Sequence, residues 1–178
     1  MNWMIASDLH GSALYTQALL EAYRRENCER LVLLGDILYH GPRNDLPEGY
    51  APKTVISLLN PLAGQIFCVR GNCEAEVDQM VLNFPVLADY AVFPWNDRLI
   101  YATHGHVYGE SNPPKLSRGD ILLCGHTHVP ANTDHEDFTY WNPGSVSIPK
   151  NNSARGYMLL TEKTVCWKDL TGKPLQDI

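Results

Sequence analysis

Leu31-Val32-Leu33-Leu34-Gly35-Asp36 is a continuous apolar run that stops at a glycine and is followed at once by a carboxylate. A run this short and this apolar reads as a buried strand, Leu31 to Leu34, and the glycine as a tight turn at its end. A side chain just past such a turn stands at the C-terminal edge of a sheet, where open α/β sheets place their chemistry. The same pattern recurs on both sides. Upstream, a first strand from Trp3 to Ser7 runs into Asp8-Leu9-His10. Downstream, Ile66 to Val69 runs into Arg70-Gly71-Asn72, Leu99 to Ala102 into Thr103-His104-Gly105-His106, and Ile121 to Cys124 into Gly125-His126-Thr127-His128.

The elements between these strands change character along the chain. Ser12 is a candidate N-cap for a helix with Tyr15, Ala18, Leu19, Ala22 and Tyr23 on one face. A second helix is expected over Thr54 to Leu62, and the polar stretch Glu74 to Asn83 can form a third. Beyond it the pattern is mostly strand: Ala91 to Phe93, Phe138 to Trp141, Tyr157 to Leu160 and Val165 to Lys168 join the two runs already named. Alternating strand and helix followed by strands implies the α/β class, with two sheets packed face to face and helices outside. The 178 residues fit a single domain, 1–178, with a sizeable core.

Composition bounds the partners. The net charge is −6, so the broad basic surface of an extended nucleic-acid binder is not expected. A small anionic substrate is compatible, because bound cations reverse the local field. No apolar run of about 18 residues exists, so no membrane partner is expected. The opening MNWMIASD lacks a basic n-region and reads as no signal peptide. The five cysteines, at 28, 68, 73, 124 and 166, are odd in number and form no CxxC. Free thiols in a reducing cytoplasm are the expectation.

The residues at the strand ends are metal-ligand types. Asp8 and His10 alternate around Leu9, and His126 and His128 around Thr127, so each extended pair points one way. A lone histidine is usually a surface or core residue; an ordered series of Asp, His and Asn at strand ends is not explained that way. Seven oxygen and nitrogen donors at one edge suit two divalent cations sharing a carboxylate. Asp36 is the candidate bridge, since its strand is the most apolar. Asp8, His10, Asp36 and His128 then form one site, and Asp36, Asn72, His104 and His126 the other. Mixed N/O ligation without thiolate fits Mn²⁺, Fe²⁺, Co²⁺, Ni²⁺ or Zn²⁺. Metal-bound water can ionise at a pKa of about 7, so a metal-bridging hydroxide would be available for in-line attack on phosphorus.

With DLH, GD, GN, HGH and GHTH in this order, the chain resembles the calcineurin-like metallophosphoesterases from Met1 to about Pro149. GDILYHGPRNDLPEGYAP, RGNCEAEVDQM and NPGSVSIPK narrow the resemblance to small bacterial phosphodiesterases of that superfamily. It implies a four-layer α/β-β/α sandwich with two mixed β-sheets. It also implies a dinuclear site of the ligands above, usually manganese, a small phosphodiester substrate, and a homo-oligomer of unfixed number. Many relatives carry His directly after the motif Asn, where it aids the transition state and protonates the leaving oxygen. Cys73 stands there instead. An unperturbed thiol is a weak proton donor, so diesters with good leaving groups should be favoured over monoesters. Asp36 and Asn72 join Cys73 as the candidate catalytic group.

Around these residues, the loop from His40 to Pro52 is long enough to line a substrate mouth. Arg43 could grip a phosphate bidentately, and His40 and His106 are further candidates for substrate contact. Arg70 is expected to turn away into an ion pair. Asn142 and Ser145 are candidates for orienting a ligand histidine, though Asn-Pro-Gly also reads as a turn. Three rivals remain: a catalytically weak, metal-binding interaction scaffold of the Vps29 type, which resembles this fold, a phosphomonoesterase, and a nuclease, whose type shares the motif series. The acidic charge argues against the nuclease, and Cys73 against the monoesterase.

Overall fold

The computed structural model describes residues 1–176 and 178. Its first sheet is built around β1 (Asn2–Ala6), β2 (Arg30–Leu33) and β3 (Ile66–Cys68), which are parallel. On the other side of β1, β9 (Gly156–Thr161) pairs antiparallel with both β1 and β10 (Val165–Asp169), giving the order β10-β9-β1-β2-β3. The second sheet has the order β4-β5-β6-β8-β7. It comprises β4 (Ala91–Trp95), β5 (Arg98–Ala102), β6 (Asp120–Leu123), β7 (Pro130–Asp134) and β8 (Phe138–Pro143). β5, β6 and β8 run parallel, and β4 and β7 are antiparallel edges.

Period-two alternation sorts the strand residues into layers. Met4, Ala6, Leu31 and Leu33 face the helices, and Ile5, Val32 and Leu34 face the second sheet. There they meet Ile100, Ala102, Ile121, Leu123 and Trp141, which form the core between the sheets with Met158, Leu160 and Trp167. Both faces of the central strands are thus dry, which is why they read as continuous apolar runs.

The helical layer lies on the first sheet. α1 (Ala13–Arg25) starts where Ser12 Oγ accepts the Tyr15 N–H at 3.3 Å, and Arg24 and Arg25 in its last turn suit the helix dipole. Its buried face is Thr16, Leu19, Leu20, Ala22 and Tyr23; Tyr15 and Ala18 sit at the rim. α2 (Pro52–Leu59) begins with proline and passes into a 3₁₀ helix, Asn60–Gln65, where Pro61 denies the backbone a donor. α3 is shorter than its polar stretch, Glu76–Val81.

The α/β sandwich of two mixed sheets is therefore present, with one difference in its outer layer. Leu122, Cys124 and Tyr140 on the far face of the second sheet are covered by Leu116 from irregular chain at 103–119, not by a helix. Gly105, Gly109, Pro113 and Pro114 in that segment exclude one. β7, reading PANTD, has no apolar alternation to mark it; its three last residues are exposed on the sheet edge.

Candidate metal centre

Every motif lies at the C-terminal end of its strand: Asp8 and His10 after β1, Asp36 after β2, Asn72 after β3, His104 after β5, His126 and His128 after β6. Five of these side chains stand on left-handed backbone. Asp8, His10, Asp36, His126 and His128 have φ of 58°, 45°, 55°, 66° and 62°. Non-glycine residues rarely adopt that region, and its strain gathers at functional sites. The neighbouring glycines admit the approach. A Cβ on Gly71 would collide with the Asp36 carboxylate and with the Asp36 backbone nitrogen, and one on Gly125 with Ser7 Oγ.

The turns are held by polar groups that the motifs do not advertise. Glu74, 4% exposed, accepts the backbone N–H groups of Asp36 (2.9 Å), Ile37 (2.7 Å) and Gly71 (2.5 Å). Burial, and then the Asp36 charge, push the Glu74 carboxyl up, while the three N–H groups oppose that shift. Ser145 Oγ and Ser147 Oγ both donate to the Asp8 carbonyl at 2.9 Å. Asn142 Nδ2 donates to the Gly125 carbonyl at 2.7 Å. Asn142 and Ser145 therefore hold ligand-bearing backbone; they do not bond the histidine rings. Arg70 likewise makes no ion pair among the described residues and donates to the Glu74 carbonyl at 3.2 Å.

The rings are oriented by main chain. His10, His104 and His128 each give their Nδ1–H to a carbonyl, of Tyr39 (2.8 Å), Leu34 (2.6 Å) and Ile148 (2.7 Å). A carbonyl only accepts, so the proton sits on Nδ1 and Nε2 carries a free lone pair. His10 Nε2 and His128 Nε2 nevertheless lie 3.2 Å apart. Asp8 Oδ1 is buried with no hydrogen-bond donor, 3.2 Å from His128 Nε2 and 3.6 Å from His10 Nε2. Three electron pairs converging in a dry site need positive charge between them. A proton can serve in part. Burial disfavours charge at His10, yet Asp8 pulls its pKa up; burial also opposes ionised Asp8, yet His10 and His128 hold its carboxyl well below the usual range. A divalent cation meets all three donors at once, so the residues fit one.

A second convergence adjoins the first. His104 Nε2 is 3.1 Å from Asn72 Oδ1, 3.5 Å from Asp36 Oδ2 and 3.2 Å from His126 Nδ1. Asp36 Oδ2 also lies 3.6 Å from His10 Nε2, between the two groups, while Asp36 Oδ1 accepts the Cys73 N–H at 2.9 Å. Donor atoms of Asp8, His10 and His128, and again of Asp8, Asp36 and His104, lie within 4.8 Å of one another. His126 is pushed down to about 4, by burial first and then by His104, so it is neutral and ready to ligate near pH 7.

A cavity of about 370 Å³ opens over Asp36, Asn72, Cys73, His126 and His128. Arg43 and Lys150 line it, the first an expected substrate contact and the second the last residue of NPGSVSIPK, with no role expected of it. Cys73 is half-buried; burial, and then Asp36, push its thiol up, so it is a neutral SH group. His40 lies outside the cavity wall, packed edge-on between Tyr39 and Tyr50. His106 packs on His104 at 5.3 Å between ring centroids and faces a neighbouring pocket with Tyr90 and Tyr108.

The model of the calcineurin-like phosphoesterase superfamily domain matches residues 1–165. The chain belongs to that superfamily. The family makes the chain a phosphoesterase and implies divalent metal ions, for which the donor groups just described are the candidate ligands. The chain is 46% identical over 160 residues to phosphodiesterase YfcE of Escherichia coli K12, covering 90% of this chain and 87% of that one. A solved structure of E. coli YfcE superposes with a TM-score of 0.95 at 41% identity, over 100% of this chain and 98% of that chain. The probable metallophosphoesterase YsnB of Bacillus subtilis 168 is 24% identical over 189 residues, covering 100% and 96% of the two chains. Among the described residues no helix is long and apolar enough to cross a membrane.

Proposed function

We propose that this chain is a cytoplasmic, manganese-preferring phosphodiesterase of small molecules with a dinuclear centre. Asp8, His10, Asp36 and His128 hold one cation, and Asp36, Asn72, His104 and His126 the other. The observation that carries the reading is the meeting of two bare imidazole nitrogens with the donorless Asp8 Oδ1, beside a second donor group that shares Asp36. The likeness to YfcE, a phosphodiesterase by name, supports the reaction class. When bound, the cations supply hydroxide from water at a pKa of about 7 and charge to stabilise a phosphoryl group in transfer.

The residues divide the remaining work. Main-chain carbonyls fix the tautomers of His10, His104 and His128, so each ring presents Nε2 without rearrangement. The Cys73 N–H fixes one oxygen of Asp36 and leaves the other between the two donor groups. Arg43, at the cavity wall, can pair with substrate oxygens outside the donor groups. The Cys73 thiol is too weak an acid to protonate a departing oxygen, so the leaving group must be stable as an anion. That favours aryl-type diesters over monoesters.

The test is hydrolysis of bis-p-nitrophenyl phosphate and p-nitrophenyl phosphate by chelator-stripped protein, with and without Mn²⁺. Manganese-dependent turnover of the diester, well above the monoester, is expected. Turnover of neither, by folded protein with bound metal, would refute the enzyme reading in favour of an interaction scaffold.

A further inference from the structure

Two cations on the cavity wall are not paired with a carboxylate among the described residues. Arg43 and Lys150 line the same cavity as Asp36, Asn72 and His128, both are exposed side chains, and neither forms an ion pair among the described residues. Both are fixed in place by their backbones. Lys150 N–H donates to the His128 carbonyl at 3.1 Å, and Ser153 closes on the Lys150 carbonyl through N–H at 3.0 Å and Oγ at 2.7 Å. Two residues earlier, the Ile148 carbonyl holds His128 Nδ1 at 2.7 Å. The segment that presents Lys150 is thus bolted to a metal-ligand candidate. Arg43 sits in a turn closed by Asn44, whose N–H bonds to the Gly41 carbonyl at 3.3 Å and whose Nδ2 bonds to the His40 carbonyl at 2.8 Å. Gly41 has φ of 78° and lies against Cys73 Sγ, so this turn packs directly on the site.

Charge decides what such a wall is for. Two carboxylates, Asp8 and Asp36, against two divalent cations leave the centre positive. A diester carries one negative charge, which the centre already meets. Arg43 and Lys150 then add two positive charges beyond what a simple diester needs. Among the described residues no Phe, Tyr or Trp lines this cavity, and its two imidazoles, of His126 and His128, are metal-ligand candidates, so an uncharged ring would find no free stacking partner there. We infer that Arg43 and Lys150 form a second anion subsite, and that the preferred substrate is a phosphodiester carrying a further phosphate on one of its substituents. This rests on the diesterase reading and specifies its substrate class.

The test compares thymidine 5′-(p-nitrophenyl phosphate) with the same compound phosphorylated at the 3′ oxygen, on manganese-loaded protein. The two differ by one phosphate and release the same chromophore. Charge-assisted contacts of this kind predict a kcat/KM advantage of roughly tenfold to a hundredfold for the phosphorylated compound, mostly in KM. The advantage should shrink as salt rises. Lys150→Gln and Arg43→Gln should each narrow it. Independently of turnover, calorimetry should show thymidine 3′,5′-bisphosphate binding more tightly than thymidine 5′-monophosphate, with Lys150→Gln reducing the gap. Equal kcat/KM for the two esters, with bis-p-nitrophenyl phosphate turned over, overturns the second subsite and leaves the diesterase. No turnover of any diester overturns both.

Discussion

Replacing Glu74 by Gln tests how the metal centre is supported. Its carboxylate accepts three buried N–H groups, at 2.9, 2.7 and 2.5 Å, from Asp36, Ile37 and Gly71. Hydrogen bonds to a charged acceptor are worth about 1.5–3 kcal/mol each, so truncation to alanine would forfeit roughly 4.5–9 kcal/mol before relaxation. Glutamine is the gentler change. It keeps the volume and one oxygen, and it removes a buried charge whose pKa burial and Asp36 already push up. It also turns an NH₂ toward at least one backbone donor. The expected net loss is about 2–4 kcal/mol, read by urea unfolding of chelator-stripped protein. Because the same carboxylate fixes the turn that carries Asp36, Mn²⁺ affinity should fall about 10–100-fold by calorimetry. A Glu74→Gln protein within ~0.5 kcal/mol of wild type, binding Mn²⁺ with unchanged affinity, would refute the claim that Glu74 ties the two loops together.

Other consequences are open to measurement. Cys73→His should raise monoester turnover relative to diester turnover, and an unchanged ratio would remove Cys73 from the account of specificity. Gly71→Ala should drive a methyl into Asp36; a displacement of about 1 Å there can cost on the order of 10² in kcat, so wild-type rates would contradict the packing. In stripped protein, His126 has its pKa pushed down to about 4 from an ordinary 6.5, so between those values the unfolded chain binds the proton and the folded chain does not. Its contribution to stability should therefore fall as pH drops through that window, and His126→Asn should flatten the slope of Tm against pH. Saturating Mn²⁺ should raise Tm of wild-type protein in a concentration-dependent way, and Asp8→Asn should blunt that rise.

What was legible in the sequence followed from strands ending abruptly. Leu31 to Leu34 alternates between two dry faces, and that is why an unbroken apolar run there meant a central strand with its chemistry at Asp36. The same logic placed Asp8, His10, Asn72, His104, His126 and His128 along one edge. Support groups were less visible, because their partners are backbone atoms that no residue type reveals. Glu74 reads as one more acidic residue of a polar stretch, and Asn142 and Ser145 as partners of a ligand histidine or as turn formers, whereas with Ser147 they hold the Asp8 and Gly125 carbonyls. Lys150 escaped because its position depends on bonds to His128 formed across 22 residues of chain. β7 was hidden by its composition: an edge strand of Pro, Ala, Asn, Thr and Asp carries no hydrophobic signature. The 103–119 cover illustrates the reverse case, where a segment rich in proline and glycine stands in place of the outer helix that the resemblance implied.

The place of β1 has a consequence for biosynthesis. Asp8 and His10 emerge from the ribosome first, yet one flank of their strand pairs with residues 156–161, and the Asp8 carbonyl waits for Ser145 and Ser147. Until residues 145–161 have been translated, β1 is an unzipped edge and the first donor group has no fixed geometry. Such distant pairings are slow to form, and an open apolar edge invites aggregation. Stalled nascent chains ending before residue 156 should therefore bind chaperones and fail to retain a divalent metal ion, so metal capture should wait until residues 156–161 have paired with β1.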